Sequence, residues 1–171
     1  AKINAAGNQL VGSTYIGGAG SDGINDSLRF NYGDSFRGEI EVQRNGGAVY
    51  FVSSTFSSSY PTIAPATSHQ GGQDGVISVL NRDLTQLLAS TYAGTSGNEA
   101  LYSIALADKQ GLNFPSPSFK FTPFYIAGSI SPSTDSSIAM GWPNPVYDYS
   151  IPVSSDQDAL LLAGDLGPAA I

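Results

Sequence analysis

The sequence predicts an all-β fold in which one four-stranded antiparallel unit occurs twice. Three observations carry this. Short apolar blocks recur in one order along the chain. The composition suits strands and turns, with 20 Gly, 9 Tyr and abundant Ser and Thr. No stretch joins a 3.6-residue apolar period to a capping residue, so no helix is expected.

The recurrence is the most informative of the three. Ser13-Thr14-Tyr15-Ile16-Gly17 returns 77 positions later as Ser90-Thr91-Tyr92-Ala93-Gly94, and Gln9-Leu10 returns as Gln86-Leu87 at the same offset. Ile40-Glu41-Val42 matches Ile104-Ala105-Leu106, and Gly47 matches Gly111, at an offset of 64. Val49-Tyr50-Phe51-Val52 matches Phe124-Tyr125-Ile126-Ala127 at 75, and Gln73-Asp74-Gly75-Val76 matches Gln157-Asp158-Ala159-Leu160 at 84. The drifting offset means extra residues: about 13 around 25–37, about 11 around 112–122 and about 9 before Asp158, all in stretches rich in Gly, Pro, Asn or Ser, where loops vary.

Strands are expected in the first unit at 1–3, 9–16, 39–43 and 48–55, and in the second at 75–80, 86–92, 100–107 and 124–130. Unit one spans about 1–74 and unit two about 75–158, with the opening strand of a third unit within 159–171. Residues 39–43 alternate cleanly, which predicts a half-buried strand. Val49-Tyr50-Phe51-Val52 is apolar throughout, which predicts a strand covered on both faces. Asn45-Gly46-Gly47 reads as the hairpin turn between them, and Asn81-Arg82-Asp83 as another. Four antiparallel strands per unit, in series, is the blade pattern of a β-propeller. Two units and one strand do not close a ring, so other blades or chains are expected to cover the open faces.

Bulk properties narrow the functional classes. The net charge of −7 disfavours nucleic acid and anionic membrane surfaces as partners. With no cysteine, disulfides, thiolate catalysis and Cys-based zinc sites are excluded. No apolar run is long enough for a transmembrane helix; the longest, 159–163, is strand-sized. No signal peptide is visible. The opening Ala1-Lys2-Ile3-Asn4 predicts a processed product or a segment of something longer.

Residues that invite a chemical role each have a simpler reading. Gly18-Ala19-Gly20-Ser21-Asp22-Gly23 fits a dinucleotide-phosphate loop, but no helix opens after it, so a turn between strands is expected. His69, the single histidine, sits in a polar loop, and no nucleophile elbow accompanies it. Asp22, Asn25 and Asp26, with Asn98-Glu99 matched in the repeat, carry oxygens suited to Ca²⁺; turn capping is the competing role. Asp74 and Asp158 are matched acids expected to anchor each unit by buried hydrogen bonds. Phe114, Phe119, Phe121, Phe124 and Trp142 fit packing, with a ligand or partner surface as the alternative. Asn25-Asp26-Ser27 fits an N-glycosylation site, and Asp26-Ser27-Leu28 resembles a bacterial O-glycosylation pattern. No catalytic residue, cofactor or metal site is assigned.

Several blocks together resemble the bacterial SBBP-type β-propeller repeat proteins. Gly71-Gly72-Gln73-Asp74-Gly75-Val76-Ile77-Ser78-Val79-Leu80-Asn81 is similar to that family's first block. Ser13-Thr14-Tyr15-Ile16-Gly17-Gly18 and Ser90-Thr91-Tyr92-Ala93-Gly94 are similar to its second, and Val49-Tyr50-Phe51-Val52 and Phe124-Tyr125-Ile126-Ala127-Gly128 to its third. Tyr60-Pro61 and Trp142-Pro143 stand where Phe-Pro is expected. Val76 or Leu160 replaces a Phe, and Thr95 replaces a Gly. The resemblance implies a secreted or cell-surface protein of Bacteroidota-like bacteria: a non-enzymatic module making adhesion or assembly contacts with other β-blades or protein chains. A carbohydrate-binding propeller, or part of a larger hydrolase, are the alternatives.

Overall fold

Among the described residues ten strands form in chain order: β1 (Lys2–Ile3), β2 (Leu10–Gly12), β3 (Glu39–Val42), β4 (Val49–Thr55), β5 (Asp74–Leu80), β6 (Leu87–Gly94), β7 (Glu99–Leu106), β8 (Phe124–Ile130), β9 (Ala139–Met140) and β10 (Asp158–Gly164). The computed structural model describes residues 1–25, 28, 36–44, 47–64, 66–107, 124–135, 138–141 and 156–164, and among these there is no helix. The chain is therefore all-β. All strand pairings are antiparallel, in a two-stranded β1-β2 sheet, a five-stranded β3-β4-β5-β6-β9 sheet and a three-stranded β10-β8-β7 sheet.

The eight predicted strands, and a strand where the one within 159–171 was expected, appear near their expected places. The main departure is the strand expected at 9–16, which ends at Gly12. Beyond it the backbone has no ladder partner, whereas the matching β6 is paired on both edges by β5 and β9. Strand β9 was not expected. Its two residues carry no readable period, and its pairing to Ala93 and Gly94 depends on where the insertion returns.

The sheets straddle the sequence units. β3 and β4 from before residue 74 pair in series with β5 and β6 from after it, and β7 and β8 pair onward to β10. Ladder hydrogen bonds thus tie each unit to the next.

The main core lies between the two larger sheets. Pleat alternation sends Tyr50 and Val52 of β4 and Ile77 and Val79 of β5 to one face. There they meet Leu101, Ile104 and Leu106 of β7, Phe124 and Ile126 of β8, and Leu160 and Leu162 of β10. The Tyr50 and Phe124 rings sit 6.2 Å apart in a tilted pair. Gly75 sets the sheet separation, because a Cβ there would lie 2.6 Å from Leu101 Cγ. On the far face Tyr60, Val76 and Tyr92 form a smaller cluster with Ile16 against it. Hence β5 is buried along its whole length; in β4 the apolar run is not covered on both faces as expected, because Tyr50 and Val52 are buried in the core while Val49 and Phe51 are half-buried on the side that opens to a groove.

The alternating strand β3 differs from expectation. Ile40 and Val42 are exposed and Glu41 is half-buried, because β3 is an edge strand whose apolar side opens to a groove. At the hairpin, the Gln43 N–H donates to Ala48 O (2.9 Å) and Gly47 has φ +71°; Asn45 and Gly46 lie outside the described residues.

The two β-turns of the repeat are built identically. The Asn4 side-chain oxygen accepts the N–H groups of Asn8 and Gln9, as that of Asn81 accepts those of Thr85 and Gln86. This is Asx capping of a hairpin. The left-handed position holds Gly7 (φ +74°) in one copy and Leu84 (φ +60°) in the other.

The Gly75→Ala variant is expected to lose about 2 kcal/mol of stability in urea unfolding, through overpacking against Leu101. Loss below about 0.5 kcal/mol, within the scatter of surface substitutions, would show that the sheets part readily at this point.

Candidate functional site

Two features stand out: a buried polar corner where the chain crosses between the large sheets, and an open apolar groove on the far side of β3 and β4.

The corner forms because β6 passes into β7 through only Thr95–Asn98, beside the loop that enters β5. Backbone groups buried in such a crossing need internal partners. Gln73 O accepts the Glu99 N–H at 2.8 Å, and Asn98 O accepts the Ser131 N–H at 2.8 Å. Gln73, itself buried, donates its amide to Asn25 Oδ1 (3.0 Å) and Glu99 O (2.9 Å). Asn25 donates in turn to Tyr102 Oη (2.9 Å), which lies 2.7 Å from Ser129 Oγ. The Arg37 guanidinium stacks over the Tyr102 ring at 5.2 Å.

Carboxylates hold the turns leading into this corner. Asp22 accepts the Gly18 N–H (2.9 Å) and the Thr55 hydroxyl (2.5 Å). Glu99, its match in the repeat, accepts the Thr95 N–H (2.9 Å) and the Thr95 hydroxyl. Asp74 accepts the N–H groups of Gln70 (2.7 Å) and Gly71 (3.0 Å). The repeated glycines make room: a Cβ on Gly17 would lie 2.5 Å from Asp22 Oδ2, and one on Gly94 2.5 Å from Asp74 Cγ. Burial raises Asp74 above the usual carboxylate range, partly offset by its backbone donors. Burial also raises Glu99 to about 7, against the lowering effect of Thr95, and the charges of Asp74 and Asp135 add to the rise.

On the far face, the tyrosines of two recurring blocks meet. The Tyr60 N–H donates to Tyr92 Oη (2.8 Å), and Tyr92 Oη donates to Ser57 O (2.7 Å). Tyr60 Oη reaches Ser78 Oγ at 3.0 Å, and Ser78 reaches Ser90 at 3.0 Å. Desolvation raises both tyrosines, so both hydroxyls stay protonated.

The residues singled out in the sequence fall as follows. In the Gly18–Gly23 segment, Cβ atoms on Gly18 and Gly20 would run into Ser57 and its neighbours, so these glycines seat the loop against 56–60. His69 lies in its loop, half-buried and edge-on to Tyr92 at 5.6 Å, with a buried Nε2 that has no hydrogen-bond partner. The oxygens of Asp22, Asn25, Asn98 and Glu99 all accept internal hydrogen bonds. Among the described residues no group of three or more His, Asp or Glu side chains is placed to hold a metal ion. Asp74 is buried while Asp158 is half-buried. Phe124 is core. Asp26, Ser27, Phe114, Phe119, Phe121, Trp142 and Pro143 lie outside the described residues. Neither Glu99's burial nor Gln73's role was foreseen; the offset of 77 linking Asp22 to Glu99 was the available signal.

The groove encloses about 780 Å³. Ile40, Val42, Val49 and Phe51 of β3 and β4 line it together with Ile16 and Lys2. Lys2 is tied to Asp83 by a 2.8 Å ion pair. No helix among the described residues is long and apolar enough to cross a membrane. No family model, curated protein or solved structure matches the chain.

Glu99 binds a proton more readily folded than unfolded. Its contribution to stability is full below its ordinary value of 4.5 and is lost as pH rises through about 7. Stability is expected to fall by roughly 3 kcal/mol across that window, with Asp74 acting in the same direction. Glu99→Gln should flatten the decline and raise stability at pH 8, read by urea titration at each pH. An unchanged slope would remove Glu99 as its source.

Proposed function

We propose that this chain is a non-enzymatic structural and interaction module: a stretch of β-propeller-like repeats in a secreted or cell-surface bacterial protein, contributing adhesion or assembly contacts. The observation that carries this reading is the treatment of repeat-matched positions. Tyr50 and Ile77 are buried between the two large sheets, while their matches Tyr125 and Leu161 are exposed on the outer side of β8 and β10. The outer side of β8 and β10 is thus a face of the kind buried between the two large sheets. Apolar faces of that kind are recognition surfaces when a neighbour covers them.

Two further points support it. The polar groups of the corner are mostly committed to one another and to backbone, which suits a scaffold rather than a reaction centre. The ordered blocks resembling SBBP-type repeats, the acidic, cysteine-free composition and the turn-rich loops fit a surface array.

Ile40→Lys and Leu161→Lys alter exposed positions and are expected to change global stability by less than about 0.5 kcal/mol. They should nevertheless reduce binding of an apolar dye and concentration-dependent association in light scattering. A parent chain that neither associates nor binds the dye would count against an interaction module.

A further inference from the structure

The two copies of the repeat differ most in what covers them. Ile104 and Leu106 are 4% and 2% exposed, packed beneath the five-stranded sheet. Their matches Ile40 and Val42 are 59% and 51% exposed in the groove. Phe124 and Ile126 are fully buried, while their matches Val49 and Phe51 line the groove half-covered. Tyr92 is 2% exposed beneath the Tyr60 segment, whereas its match Tyr15 is 103% exposed.

The missing cover can be specified. Ile104 and Leu106 lie under β3, β4 and β5. Beside Ile40 and Val42, β1 and β2 are the counterparts of β5 and β6 at the offset of 77. Among the described residues nothing takes the place of β3 and β4, and β1 pairs with β2 alone.

We infer that the groove and the free edge of β1 form the docking site for a β-hairpin from a further unit of the same repeat, patterned like β3-β4 and followed by a Tyr-Pro loop. One strand pairs antiparallel with β1, as β4 pairs with β5. Its alternate apolar side chains fill the groove over Ile40 and Phe51, as Tyr50 and Val52 cover β7. The loop closes on Tyr15 as the Tyr60 segment closes on Tyr92. Arg82 and the Asp83-paired Lys2 are among the residues that line the groove, and a β3-type strand brings the counterparts of Glu39 and Glu41. A carboxylate on the incoming hairpin has a different precedent one unit on, where Glu39 accepts the backbone N–H of Ile104 at 2.7 Å. This rests on the reading of the chain as a stacking repeat module, and it names the partner.

The test adds a second copy of residues 36–77 ahead of Ala1, since residue 78 corresponds to residue 1. The chain has no cysteine, so Ile40→Cys in the original unit reports on the groove alone. Thiol labelling is expected to slow about tenfold in the extended chain, as burial restricts access to local opening. An extension carrying Tyr50→Asp and Val52→Asp in the copied hairpin should label as fast as the unextended chain. If the extension prevents folding, a peptide of residues 36–62 added to the unextended Ile40→Cys chain gives the same readout, with protection expected. Unchanged labelling in the folded extended chain, or no protection by the peptide up to its solubility limit, overturns the inference. Labelling of the unextended chain that slows with protein concentration assigns the groove to a second copy and also overturns it. Failure here leaves dye binding at the Leu161 face intact, so it is separable from failure of the module reading.

Discussion

The structure depends on one constraint: β4 and β5 are apolar on both faces, and a sheet of that kind must be covered twice. One cover is complete. β7, β8 and β10 close over Tyr50, Val52, Ile77 and Val79, and the absent side chain at Gly75 lets Leu101 approach. The other is built piecemeal from Tyr60, Tyr92 and Ile16, and stops at the groove. Burial of each large apolar side chain contributes roughly 1.5–3 kcal/mol, so the closed interface dominates the stability of the described strands.

Stacking sheets in series requires the chain to turn sharply from one to the next, through polar backbone that water cannot reach. Carboxylates answer this at each turn, accepting two donors apiece at Asp22, Asp74 and Glu99. Their arrangement has a cost. Desolvation and mutual repulsion raise Glu99 until a proton is held near neutrality. The corner is therefore a structural device with a titration built into it.

Repetition explains why similar residues meet opposite fates. The Asn4 and Asn81 turns share one hydrogen-bond pattern because short-range geometry alone decides it. Tyr15 and Tyr92 share a motif but not an environment, because cover is supplied by a segment some 30 residues away, Tyr60 for Tyr92. Local chemistry repeats with the sequence; burial repeats only where the neighbouring unit does.

The division between what was legible and what was not follows the same line. Most strand positions, the absence of a helix among the described residues and the turn at Asn81-Arg82-Asp83 could be read from alternation, composition and internal repetition, since each reflects interactions within a few residues. Clean alternation at β3 even identified its two sides. It could not tell that Ile40 and Val42 would face a groove, because that depends on what packs beside an edge strand. The same limit hid β9, whose two residues become a strand only by meeting β6, and Glu99, whose surroundings are turns from distant segments. The sequence by itself determined the all-β class and the places of most strands, through backbone propensity and pattern. Only the tertiary structure decided which copies are covered, which carboxylates are desolvated and where an apolar face stays open, because burial is a property of neighbours brought together across the chain.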